Sequence, residues 1–139
     1  MQTEIGRKIK IAFVDDSLLQ RTLMKIAVVN HEAFDLSFNC SNGLELLKEL
    51  ERTADLPDVC LADLHMPIMN GHEAALRIRD KYPSIKLFGY TTTDNVLELE
   101  RFKANGALFI FDKTNPRMTL EEIKFWFNDR KAIIVIIRA

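Results

Sequence analysis

The residues of this 139-residue chain best suited to chemistry stand where apolar runs end. Asp15 and Asp16 follow the run at 9–14, and Asp63 follows VCLA at 59–62. Thr91, Thr92 and Thr93 follow Tyr90, while Asp112 and Lys113 follow the run at 107–111. Three carboxylates gathered in one place repel, each pair costing on the order of 4 kcal/mol at about 4 Å and an effective dielectric near 20. A fold that gathers them needs a cation in compensation. Lys113 supplies one positive charge and a divalent ion would supply two. Oxygen-only ligands, without His or Cys, favour Mg2+, which keeps several waters and takes one or two carboxylates plus a phosphoryl oxygen. The Thr91 hydroxyl and the Lys113 ammonium are then donors aimed where negative charge develops on a transferring phosphoryl group.

The elements that must position these groups alternate along the chain. Apolar or β-branched runs at 9–14, 34–38, 59–63, 85–90 and 107–111 read as strands. Between and after them, helices are expected over about 17–29, 43–52, 72–81, 95–104 and 119–130. In the first helix Leu19, Leu23, Ile26 and Ala27 fall at helical spacing, with Ser17 and Gln20 as its capping box. Thr119 and Glu122 offer a second box for the last helix. Five strands, each followed by a helix, imply a parallel sheet with right-handed crossovers. A flavodoxin-like, doubly wound (βα)5 three-layer sandwich of strand order 2-1-3-4-5 fits the count. Its ligand crevice lies at the carboxyl ends of strands one and three, where Asp15, Asp16 and Asp63 stand.

Composition narrows the function classes. Lys and Arg number 19 against 20 Asp and Glu, so no basic excess exists for binding nucleic acid or an anionic membrane. The strongest apolar stretch, 132–137, is too short to cross a bilayer. The start, MQTEIGRKIK, lacks the apolar core of a secretory signal. Cys40 and Cys60 read as buried, reduced thiols. These features point to one cytoplasmic domain over 1–139, with its core at about 8–131. The apolar tail at 132–139 either completes the last helix against the sheet or packs on a second copy or an output domain.

Taken together, FVDDS at 13–17, LADLHMPIMNG at 61–71, Thr91 and GALFIFDK at 106–113 resemble the receiver domain of two-component response regulators, over about 8–130. The resemblance implies that Asp63 is a carboxylate nucleophile, phosphorylated by a sensor histidine kinase or a histidine phosphotransfer protein. It implies that Asp15, Asp16, Asp63 and the backbone carbonyl of His65 hold Mg2+. Lys113 would pair with a phosphoryl oxygen, and Thr91 would swing toward the phosphoryl group and report it to the surface of the fourth helix, fifth strand and fifth helix. Such a chain catalyses only its own phosphorylation and dephosphorylation. It would act on an output domain or downstream protein, or as a homodimer.

Three positions depart from the family pattern. Thr114 stands where a proline in a cis bond is usual; a cis bond before a non-proline residue costs about 2.5–4 kcal/mol, which opens a trans linkage. Ile110 replaces the switch aromatic of the fifth strand, with Tyr90 as a stand-in or else a half-buried packing tyrosine. Gly89 interrupts the fourth strand, as at a bulge or a close backbone approach that loosens the strand beside Thr91. The His65 side chain either tunes phosphoryl lifetime or is an exposed loop group, and His72 reads as solvated. A zinc site of Cys60, His65 and His72 is poorly served by a cysteine in a buried strand. Two rival functions remain. A haloacid-dehalogenase-type phosphatase needs an acid two residues after its nucleophile, where His65 stands. A receiver-like interaction domain without phosphate chemistry would fit Ile110 and Thr114 but not the full set of acids.

Overall fold

In the computed structural model, which describes residues 7–138 and their side chains as far as 128, the apolar runs pair as one parallel sheet. Its strands are β1 (Ile9–Val14), β2 (Phe34–Cys40), β3 (Val59–Ala62), β4 (Lys86–Thr91) and β5 (Ile110–Asp112), in the order β2-β1-β3-β4-β5. The helices are α1 (Leu18–Val29), α2 (Gly43–Arg52), α3 (Gly71–Lys81), α4 (Val96–Ala104) and α5 (Pro116–Arg138). Alternate residues of the central strands divide between two cores. Phe13, Leu61, Phe88 and Tyr90 join Met24, Val28, Leu120 and Ile123 beneath α1 and α5. Val14, Ala62 and Leu87 join Leu46, Leu50, Ile78 and Phe102 beneath α2, α3 and α4. This is the flavodoxin-like three-layer arrangement that the alternation implies.

Local chemistry fixes where the helices start. Asn42, Asn70 and Asn95 each accept the backbone N–H three residues on, from Glu45, Glu73 and Glu98. Each cap thus also sets a carboxylate in the first turn, where the helix dipole favours it. Ser17 caps α1 by accepting from Gln20 N at 3.2 Å. Thr119 does not cap the last helix. Pro116 takes the first helical position, which suits its fixed φ and missing N–H, and Asn115 Oδ1 accepts from Met118 N at 3.2 Å. Nor does β5 begin at 107, because the Ala107 N–H closes α4 on Phe102 O at 3.1 Å.

Of the four residues at helical spacing in α1, only Ala27 packs against the core. Met24 and Val28 face the core, whereas Leu18, Leu19, Leu23, Ile26 and Val29 are exposed. Gly89 marks a close backbone approach and not a bulge, since β4 keeps its register with β3 and β5 through it. The Phe102 ring packs on its bare Cα, so closely that an added Cβ would lie 2.8 Å from Phe102 Cε2 and 3.0 Å from Ile110. Cys40 and Cys60 are buried free thiols; burial pushes Cys40 up to about 12 and Cys60 higher still. The α5 backbone runs on through 132–138, but the side chains that decide what the tail packs against lie outside the described residues. Among the described residues no helix is long and apolar enough to cross a membrane.

Candidate functional site

Strand register brings the predicted residues together. Val14 pairs with Ala62, Ala62 with Gly89, and Gly89 with Ile110. One residue further along each strand stand Asp15, Asp63 and Tyr90, with Phe111 paired to Tyr90 and Asp112 to Thr91. The Asp63 N–H donates to Val14 O at 2.9 Å, carrying the ladder to the nucleophile candidate itself. Asp15 is 0% exposed and Asp63 4%, while Asp16 lies at the surface.

Lys113 bridges the two buried acids, with Nζ 2.7 Å from Asp15 Oδ2 and 3.1 Å from Asp63 Oδ2. It does so from a trans linkage, since no peptide bond among the described residues is cis. Asp15 Oδ1 accepts the Ser17 N–H at 2.9 Å. Burial pushes the Asp63 carboxyl above its ordinary value; Lys113 draws it back and Asp15 pushes it up again. For Lys113 burial works downward, but the hydrogen bond to Asp15 and the charge of Asp63 outweigh it and hold the ammonium above its ordinary value. Carboxylate oxygens of Asp15, Asp16 and Asp63 lie within 4.8 Å of one another. This oxygen-only set, partly open to solvent through Asp16, fits a hard divalent cation such as Mg2+. It is the one cluster of possible metal ligands among the described residues, so Cys60, His65 and His72 do not form a zinc site.

The loop after Asp63 is tightly built. Met69 N donates to Pro67 O at 2.7 Å around Ile68, whose φ of 70° makes a γ-turn in a region that β-branched residues avoid. Gly71 N donates to Leu64 O at 2.8 Å, and a Cβ on Gly71 would meet Asp63 O at 2.5 Å. Only glycine lets α3 start so close to the acid.

A polar chain that the sequence did not disclose links the end of β4, through the first turn of α4, to the loop after Asp63. Thr91 is buried, and its Oγ1 accepts the Thr93 N–H at 3.4 Å. Thr93 Oγ1 donates to Glu98 Oε1 at 3.1 Å, and Glu98 Oε2 lies 2.9 Å from His65 Nε2. The hydrogen bond from His65 holds Glu98 below its ordinary value. The Asn95–Glu98 cap was the local signal for Glu98; nothing local marks its tie to His65, 33 residues away. His72, by contrast, is not solvated. It is buried with its ring edge-on to Phe102 at 5.7 Å, and burial, then Arg101, lowers its pKa. Tyr90 is not half-buried but 1% exposed, packed edge-on against Phe13.

Comparison with known proteins agrees with this geometry. A family model described as the response regulator receiver domain matches residues 11–124. A protein-glutamate methylesterase/protein-glutamine glutaminase of Hahella chejuensis is 32% identical over 106 residues, covering 74% of this chain and 29% of that protein. The chemotaxis protein CheY of Listeria monocytogenes is 35% identical over 79 residues, covering 57% of this chain and 64% of its own. The chain therefore spans under a third of the methylesterase and about two thirds of the chemotaxis protein. A CheY-like receiver domain structure from Methanospirillum hungatei superposes with a TM-score of 0.79 at 22% identity, covering 90% and 98% of the two chains.

Proposed function

The chain belongs to the response regulator receiver domain family, and from that premise we propose that it is a phosphorylation switch whose acceptor is Asp63. The observation that carries this reading is Lys113 held between two buried carboxylates, Asp15 and Asp63, by 2.7 and 3.1 Å contacts. An ammonium so placed offsets part of the negative charge of the acid cluster and stands ready for the charge of a phosphoryl group.

In the proposed reaction an Asp63 oxygen attacks the phosphorus of a phosphohistidine in line. The O–P bond forms as the P–N bond breaks, and the electron pair returns to the imidazole of the donor. Asp15, Asp16, Asp63 and the backbone carbonyl of His65 would hold Mg2+, which when bound supplies charge neutralisation on the phosphoryl oxygens. Lys113 exchanges its carboxylate partners for a phosphoryl oxygen. The Thr91 hydroxyl gives up the Thr93 N–H and donates to another, biasing the α4–β5–α5 surface toward its active arrangement.

The exposed apolar residues of α1, next to the acid pair in sequence, support docking of a sensor histidine kinase or histidine phosphotransfer protein there. Leu97, Phe109, Met118 and Phe125 are exposed on α4, beside β5 and on α5, and suit an output domain, a downstream protein or a second copy. On this reading 1–139 is one receiver domain, working in the cytoplasm and catalysing only its own phosphorylation and dephosphorylation.

Intact-mass spectrometry after incubation with acetyl phosphate tests the proposal. The expected result is one added phosphoryl group that requires both Mg2+ and Asp63 and is absent from Asp63→Asn. Absence of the adduct, together with no binding of the phosphoryl mimic beryllofluoride, would overturn it in favour of a phosphate-independent interaction domain.

A further inference from the structure

Among the described residues four buried side-chain polar atoms lack a hydrogen-bond partner: Asn39 Oδ1, His72 Nδ1, Asp15 Oδ2, which has the Lys113 ion pair, and the Tyr90 hydroxyl, which has nothing. Tyr90 is 1% exposed, and its hydroxyl has no hydrogen-bond partner among the described residues. Phenylalanine would fill the same space without the desolvation cost of an unsatisfied hydroxyl. The ring shows where that hydroxyl goes. Tyr90 stands on β4, yet its ring meets Phe13 of β1 edge-on, with centroids 5.6 Å apart. Strand β3 lies between them, so the two rings close over it a backbone gap of two strand spacings, about 4.8 Å each, and Tyr90 is turned toward β1. Asp15 follows Phe13 by two residues and so shares its face of the sheet. The phenol therefore ends toward Asp15, whose charge, after burial, pushes the Tyr90 hydroxyl up to about 12. At neutral pH it keeps its proton and is a donor.

Asp15 has a use for one. Oδ1 is served by the Ser17 N–H and Oδ2 by Lys113. If Lys113 turns to a phosphoryl group, as the reading above requires, Asp15, at 0% exposure, is left with the Ser17 N–H as its one protein donor beside the metal it would hold. We propose that Tyr90 is a positioning residue of this site: its hydroxyl takes over Asp15 Oδ2 when Lys113 leaves, fixing the carboxylate in the orientation that serves the metal.

The test titrates Mg2+ into the full chain by calorimetry, with and without beryllofluoride, for wild type and Tyr90→Phe, beside urea unfolding without Mg2+. Tyr90→Phe is expected to unfold at an unchanged or higher urea concentration and to bind Mg2+ alone within about twofold of wild type. With beryllofluoride its Mg2+ affinity is expected to fall about tenfold, the loss of one charge-assisted hydrogen bond. Equal affinities with beryllofluoride would overturn the role of Tyr90 while leaving the phosphorylation reading intact. An equal loss in both conditions would overturn it too, because the donor would then not depend on departure of Lys113. A wild type that binds neither Mg2+ nor beryllofluoride would overturn the phosphorylation reading and this one with it.

Discussion

Lys113 Nζ stands closer to Asp15 Oδ2, at 2.7 Å, than to Asp63 Oδ2, at 3.1 Å. The lysine thus leans toward the acid that is not the proposed acceptor. Lys113→Ala leaves two buried carboxylates facing each other, which should destabilise the metal-free protein by about 3–5 kcal/mol. Urea unfolding measures this, and added Mg2+ should recover part of it by binding only the native state. A loss of less than about 1 kcal/mol would mean that the bridge behaves like an exposed ion pair.

Asp63 carries the opposite expectation. Burial and Asp15 raise its carboxyl despite Lys113, so its ionised form costs the fold stability. Asp63→Asn should therefore stabilise the metal-free protein at pH 7, seen as a higher urea midpoint than wild type. The native state binds this proton more tightly than the unfolded chain, so the wild type recovers stability as pH falls through the raised native pKa. The advantage of Asp63→Asn should accordingly shrink in that window and vanish near the unfolded value of 3.8. A pH series of urea midpoints checks both sign and window.

At Gly89 the missing side chain is the packing. A Cβ there would press on Phe102 and Ile110, so Gly89→Ala should cost about 1–3 kcal/mol as overpacking. The double variant with Phe102→Leu should be less destabilised than the sum of the two single changes, which a double-mutant cycle in urea reads directly.

Ile68 tests the loop. It is 74% exposed with a φ of 70°, so its side chain gains little from burial and its backbone is strained. Ile68→Gly should stabilise the protein by up to about 1 kcal/mol, the left-handed strain relieved less the entropy glycine adds to the unfolded chain. Thermal unfolding measures the gain.

The site acids were legible because a strand buried on both faces is an unbroken apolar run, and the first polar residue after it marks the crevice. The same rule points to Asp15, Asp63 and Thr91; after the fifth run it points first to Asp112, which is exposed, and it took the need for a cation, and the resemblance, to single out Lys113 one residue on. It had less purchase on α1, which carries apolar residues on two sides. Spacing alone does not say whether Leu19, Leu23 and Ile26 or Met24 and Val28 meet the sheet. The start of α5 was ambiguous for a local reason, since Asn115 and Thr119 both qualify as caps and Pro116 decides between them. Gly89 signalled a close approach without naming Phe102, thirteen residues on. The tie between His65 and Glu98 arises only when the fold brings the first turn of α4 to the loop after β3, and no local pattern encodes it.

That tie has a consequence in time. Both side chains are substantially exposed, 58% for His65 and 36% for Glu98, so the contact forms and breaks as surface side chains do, within picoseconds to nanoseconds. Catalytic turnovers run many orders of magnitude slower. A contact that opens so often cannot gate the proposed phosphorylation of Asp63; it sets the resting posture of Thr93 and the first turn of α4.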